Sequence, residues 1–431
     1  MIRPPAARAA LLAAVLAVLA ATPADADLRG HGGPVQALAV TGDGAVAISG
    51  SFDSTAILWS LADGRALAVL RFHNGVVNAV AALPDGRFAT AGEDGRIALW
   101  RADRPAPVAV ILGHTGPIAS LAVSPDGRHL ASASWDTTVR VTALVGGEAR
   151  VFNGHSGNVN GVAFAPSGDV LASAGYDATL RIWSLDRPGP PRIVQTAAPL
   201  NAVAATRNAF VAAGVDGVIR IFDPSGAPVR DVMAQPTPVI ALGLDPAGAR
   251  IAAASVSGEI AVIELATGTV LQRLLGPERP LWSLAFVPAR EELLSGDNAR
   301  VVRRWDLKAG TLIGFRGDDA TPDPLAAYKD DPSAQVFRAC VACHTLAPDG
   351  GNRAGPSLYG VFGRRIATAA GYDFSPALRT LDIVWSAQTI ARLFEIGPNA
   401  YTPGTKMPEQ TLGAGERAAL VKFLERATAP R

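Results

Sequence analysis

Residues 155–184 read HSGNVNGVAFAPSGDVLASAGYDATLRIWS. An alternating apolar run ending at Phe164 is followed by a turn, a run of small residues to Gly175, then Asp177 and, six residues later, Trp183. Alternation is the period of a strand with one buried face, and turn residues at this spacing cut the chain into short antiparallel strands. The same frame recurs. His31, His73, His114 and His155 follow one another at intervals of 42, 41 and 41 residues. Asp53 precedes Trp59 by six, and Asp94 precedes Trp100 by six. Weaker copies run from Asp136 to Thr142, Asp216 to Phe222, Ser257 to Ile263 and Ala299 to Trp305, which makes seven units between about residues 31 and 316. A unit of this size cannot bury its own apolar face and must stack on its neighbours. The turns also account for the many glycines (44) and prolines (32).

Pro84-Asp85-Gly86 and Pro125-Asp126-Gly127 read as hairpin turns, and Trp305-Asp306 closes the last unit. With the 41-residue period, these features resemble the WD-repeat family, whose fold is an all-β propeller with four strands per blade. The resemblance implies seven blades over residues 27–316. It also implies a buried hydrogen-bonded network of His, turn Asp, Ser or Thr, and Trp within a blade. Units five to seven lack the His, and units six and seven lack the Asp, so those blades are expected to rely more on apolar packing. The repeated histidines occupy one equivalent position in successive units, which makes them structural rather than a metal cluster. His129, in a strand-like run, reads as a packing residue. Only residues 27–30 precede His31 after the expected cleavage of a leader. That is too short for a full closing strand, so residues 310–315 are expected to supply the outer strand of blade seven.

The C-terminal third carries different chemistry. Cys340-Val341-Ala342-Cys343-His344 contains the only two cysteines of the 431 residues. Cys-x-x-Cys-His is the attachment run of a c-type haem: two thiols add to the vinyl groups and the histidine ligates iron. A structural zinc site needs four ligands, and no further cysteine exists to complete one. A thioredoxin-like pair needs a βαβ setting that is missing around Cys340. The N-terminus agrees with this reading. Arg3 and Arg8 flank an apolar stretch from Ala9 to Ala21, and Ala24-Asp25-Ala26 offers a small-x-small cleavage site. This pattern predicts a signal peptide over residues 1–26, export to the periplasm or an equivalent compartment, and a mature chain without a transmembrane span. With 39 basic and 38 acidic residues, nucleic-acid binding is not expected.

Residues 317–328 are polar and proline-bearing and are expected to form an extended linker. Beyond them the spacing turns helical: a helix from Pro332 towards Cys340, an amphipathic one over Ala387 to Glu395, and another over Gly415 to Ala427. A small all-α domain over residues 329–431 follows. Iron needs a second axial ligand. Met1 leaves with the leader and Met233 lies among the repeats, so Met407 remains, within Thr402-Pro403-Gly404-Thr405-Lys406-Met407. A thioether opposite imidazole favours ferrous iron.

Together with Gly355 to Arg364, Gly371-Tyr372 and Trp385, these motifs resemble class I cytochrome c, of the mitochondrial and purple-bacterial type, over about residues 330–428. The resemblance implies that the Pro356 carbonyl orients His344. It places Arg364, Tyr372 and Trp385 near the haem propionates, and Phe337 in a helix crossing with Leu420 and Phe423. Phe374 stands where the family often has a propionate-binding tyrosine, and Ser333 where it has a glycine. Most lysines of the haem-edge ring are replaced: Ala339, Asn399 and Ala400 occupy such places, while Lys406 and Arg353 persist. Residues 325–431 hold 12 basic and 9 acidic side chains, too even a balance for strong steering towards acidic partners.

The expected function is one-electron transfer through one covalent haem c, with the propeller as docking platform for a redox partner protein. No phosphate loop, His-Glu-x-x-His or nucleophile elbow is present, which favours an electron carrier over an enzyme. The alternative is a haem-containing oxidoreductase whose propeller holds a second cofactor or substrate.

Overall fold

The structure is a computed structural model. It describes residues 27–429 apart from 188, 277–279, 314–324, 338–339, 343, 349–354, 373, 375, 404, 406 and 408–411. The expected signal peptide, most of the expected linker, and Cys343, Ala339, Arg353 and Lys406 therefore lie outside the described residues.

Seven antiparallel sheets form the seven blades of a propeller. Blade one is β2–β5, running in sheet order through Val35–Val40, Val46–Ser51, Thr55–Ser60 and Ala66–Arg71. Five more four-stranded sheets repeat this pattern between residues 77 and 275. The second strand of each blade is buried on both faces, because the neighbouring blades cover it. Small residues at these positions, as in Ala131-Ser132-Ala133 and Ala252-Ala253-Ala254, let the sheets approach closely. The fourth strands are exposed, as at Pro228–Met233. The apolar clusters run from blade to blade. Trp59 of blade one packs with Leu294 and Val302 of blade seven, so the core is continuous around the ring.

Ring closure differs from the sequence-based expectation. The two-residue strand β1, Leu28–Arg29, pairs with Val301–Val302 of blade seven, while Thr311–Leu312 pairs with the other end of the same strand at Trp305–Asp306. Chain ends from both sides thus share the outer edge. Leu28 is 1% exposed, and Asp27 forms an ion pair with Arg303. Burial of one leucine and a charged anchor makes two residues sufficient where pairing length alone would not be.

The expected network is present in the first four blades. Trp59 Nε1–H donates to Ser49 Oγ at 2.7 Å. The serine bonds His31 Nε2 at 2.7 Å, and His31 Nδ1 meets the Asp53 carboxylate at 3.1 Å. Thr90 replaces the serine in blade two, at 2.8 Å from His73 and 2.9 Å from Trp100. In blade three the chain stops at Ser132, 2.8 Å from His114, because Thr142 stands in place of the tryptophan. Blade four has the full set around Ser173, 2.8 Å from His155 and 2.9 Å from Trp183. Each histidine is committed at both ring nitrogens, consistent with a structural role.

Blades five and seven add ion pairs to the apolar packing expected of them. Asp216 pairs with Arg220 in blade five. In blade seven Glu292 pairs with Arg304 at 2.6 Å and Asp297 with Arg303 at 2.8 Å, and all four side chains are buried. Trp305 still donates to Ser295 Oγ at 2.9 Å. In blades five and seven intra-blade ion pairs stand in place of the histidine networks, and in blade six the Ser255 and Ser257 hydroxyls meet at 2.7 Å.

The C-terminal domain is helical. Among the described residues its longer elements are Ala387–Ile396 and Ala414–Ala427. Ser386 caps the first of these through the Thr389 amide, and Thr389 returns a bond to the Ser386 backbone. The helix expected from Pro332 is instead a 3₁₀ segment, Pro332–Phe337. Pro332 has no N–H, and the Ala334 amide bonds the Asp331 carbonyl at 3.0 Å, which sets the tighter pitch. Phe337 stacks on Phe423 with ring centroids 5.3 Å apart, and Leu420 joins the same cluster. The expected linker also ends earlier than residue 328. Ala326–Tyr328 is a 3₁₀ turn, Leu325 is 1% exposed within the helical core, and Tyr328 meets Phe423 edge-on at 5.1 Å. Apolar burial, invisible in a polar composition, draws this segment into the domain. No helix among the described residues is long and apolar enough to cross a membrane.

Candidate haem site

The helical core is built around an opening. A cleft of about 1310 Å³, open solvent at its mouth included, is lined by Phe337, Leu358, Val361, Ile390, Leu393 and Phe394, among others. All but Leu358 belong to the buried cluster, and Leu358 packs against it half-buried. The core is therefore a shell whose inner wall is apolar, and it has room for a large apolar group.

His344 stands on this wall. Its amide bonds the Cys340 carbonyl at 3.0 Å, so the 3₁₀ turn Cys340–Ala342 delivers it. Its Nδ1–H donates to the Pro356 carbonyl at 2.7 Å, which makes Nε2 the nitrogen that would ligate a metal. Gly355 passes so close that a Cβ there would collide with the imidazole ring. Cys340 is buried beside it, and burial pushes its thiol up to about 11.

Met407 lines the same cleft. Its amide bonds Thr405 Oγ1 at 3.1 Å, and the loop is held at its base by the Thr402 hydroxyl on the Pro398 carbonyl at 2.8 Å. The loop's far end is tied by the Leu412 amide on the Phe394 carbonyl at 2.9 Å.

A polar edge borders the cleft. Arg364 donates to the carbonyls of Ser357 at 2.6 Å and Tyr359 at 3.1 Å, and burial holds its guanidinium below the ordinary pKa. Trp385 is joined to it through the backbone, its amide on the Arg364 carbonyl at 2.9 Å. Tyr372 meets Phe374 edge-on at 4.6 Å. Cys340, His344, Pro356, Arg364, Tyr372, Trp385 and Met407 all border one cleft, and of the expected site residues only Cys343 lies outside the described residues. The donor set fits a haem: an imidazole oriented by a backbone carbonyl, a thioether, an apolar wall and cations at one edge. Among the described residues no group of three or more His, Cys, Asp or Glu comes together as another metal site.

Sequence reasoning missed two contributors. Gly355 was part of a recognised motif, but its need to be glycine follows only from the ring it touches. Arg71, from the propeller, lies with its guanidinium 4.5 Å over the Tyr372 ring, and a separation of 301 positions leaves no sequence signal for that.

Comparison with known proteins agrees with both halves. The WD domain, G-beta repeat family matches residues 25–60, 64–101, 105–142 and 146–184, the four blades with histidine networks. The cytochrome c family matches residues 331–428. Cytochrome c of Ginkgo biloba is 36% identical over 102 residues, spanning 23% of this chain and 89% of that protein. Cytochrome c of Cochliobolus lunatus is 39% identical over 97 residues (22% and 89%), and cytochrome c 2.1 of Caenorhabditis briggsae 43% over 89 residues (20% and 76%). The fold and site thus define a WD-repeat propeller joined to a haem-binding domain. Through that C-terminal domain, the chain belongs to the cytochrome c family.

Proposed function

We propose that the protein is an exported electron carrier with one covalent haem c, attached through Cys340 and Cys343 and ligated by His344 and Met407. The observation that carries this reading is His344, its Nδ1 committed to Pro356 and its ring on the same apolar cleft as Met407. Haem supplies an iron that gains or loses one electron with little rearrangement. The chain's residues do the rest. Pro356 fixes the imidazole tautomer and orientation, Gly355 grants the ring its place, and the apolar wall keeps water from the metal's surroundings. Arg364, Tyr372 and Trp385 border the edge where the propionates would lie.

The propeller serves as docking platform for a redox partner protein. Support comes from Phe52, Trp135, Tyr176 and Val256, 39–54% exposed, each directly after the second strand of its blade. They therefore gather at one end of the propeller. Exposed aromatic side chains in such an array fit protein recognition.

Two measurements test the reading. The full chain, expressed with its own first 26 residues alongside a c-type haem maturation system, should reach the periplasm and acquire haem, while a form lacking those residues should stay haemless. The exported protein should then titrate reversibly with a one-electron slope. Haem uptake without export, or a two-electron slope, would contradict the proposal.

A further inference from the structure

We propose that the propeller completes the haem crevice, with Arg71 acting as a positioning residue for the carboxylate edge of the haem. The inference rests on the haem reading above and extends it across the domain boundary. The cleft is not walled by the helical domain alone: Asp53, Thr55 and Arg71 of blade one line it too. Arg71 closes β5, and its Nη1 donates to the Val69 carbonyl at 3.3 Å. Its guanidinium lies 4.5 Å above Tyr372, a cation–π contact between the domains.

The charges bordering the cleft favour an anion. Among the described residues Arg71, Arg364 and Arg365 are its arginines. Arg365 pairs with Asp382 at 3.3 Å. The acid from the propeller side, Asp53, is already bonded to His31 and the Thr55 hydroxyl. Arg364 gives two of its donors to carbonyls, and the Phe374 ring offers none. Haem brings two carboxylates, and a carboxylate leaving water needs a cation or several donors. A guanidinium clamped on Tyr372 supplies one from outside the helical domain. A fixed positive charge bordering the cleft would also favour the ferrous state of a bound haem iron.

The test uses the full-length holoprotein, poised at the solution potential where the wild type is half ferrous. Arg71→Gln should move the ferric-to-ferrous ratio about three- to tenfold towards ferric. Arg71→Glu should move it further the same way. Arg192→Gln, an exposed arginine of blade four that does not line the cleft, should leave it unchanged. Hydrogen exchange of residues 371–374 should quicken in Arg71→Glu, a readout independent of electron transfer. If the glutamate variant does not fold, Arg71→Lys decides: it keeps the charge and should hold the ratio within about twofold. An unchanged ratio in the Arg71 variants, an equal shift in Arg192→Gln, or a lysine variant as shifted as the glutamine one overturns the proposal. A wild type that binds haem and titrates reversibly keeps the underlying reading intact in each of those cases.

Discussion

The propeller fills its own core, whereas the helical domain leaves an opening in its own. In the propeller, Trp59, Trp100 and Trp305 are at most 1% exposed, and the second strands are packed between blades. Every residue needed for burial is supplied by the chain. In the helical domain the buried Phe337, Leu420 and Leu424 also line the cleft. A shell of this kind recovers full burial only when a cofactor fills it, so its stability is coupled to haem as a ligand's binding is coupled to folding.

The largest expected effect separates the two regions outright. Replacing Cys340 and Cys343 by serine should abolish the cooperative melting of the helical domain, followed by far-ultraviolet circular dichroism of its helices. The propeller's strand signal should keep its own transition near the wild-type temperature. A single shared transition lost in both regions would erase the contrast.

Next in size is the closure of blade seven. Asp297→Ala removes a buried carboxylate bonded to Arg303 at 2.8 Å and to the Val301 amide at 3.1 Å. It should cost about 3 kcal/mol in urea unfolding of the propeller, since it strands part of a buried guanidinium. A cost under about 1 kcal/mol would show that Asp27 alone satisfies Arg303.

The networks offer a finer comparison inside the propeller. Ser173 bonds both His155 and Trp183, whereas Ser132 bonds His114 with no tryptophan above it. Ser173→Ala should destabilise by about 2–3 kcal/mol and Ser132→Ala by about 1–1.5 kcal/mol, because the former orphans two buried groups. Equal costs would mean that the tryptophan N–H contributes little.

Acid gives the smallest and most graded effect. Burial lowers the pKa of His114 and His155, outweighing their aspartate partners. Burial alone would raise Asp136, but bonds from Thr138, His114 and the Thr115 amide prevail and bring it to about 2. Both kinds of group bind fewer protons folded than unfolded. Their stabilisation is therefore present above the unfolded pKa and is lost on acidification, first below about 6.5 for the histidines and then between about 4 and 2 for Asp136. Propeller stability measured by denaturant should be level near pH 8 and fall through those windows. Stability rising below pH 6 would contradict the assignment.

Much of this architecture was legible in the sequence because periodicity and motif spacing are local signals. The His, Asp and Trp frame located the blades, and Cys340, His344 and Met407, singled out by motif, border one cleft. What escaped detection depends on distance or on breaks in the frame. Asp297 sits two residues ahead of its expected place and pairs with an arginine instead of a histidine. Leu28–Arg29 is too short to carry a period, yet burial of Leu28 gives it purchase. Leu325 hides in a polar segment, and Arg71 meets Tyr372 only because the domains adjoin.

The central claim is that the opening in the helical core is filled by a haem bound covalently through Cys340 and Cys343. It is tested most directly by the mass of the exported chain after denaturation and acid–acetone extraction. The account predicts one haem adduct per chain that survives extraction and is lost in the double serine variant. A wild-type chain at its apoprotein mass after extraction would contradict it.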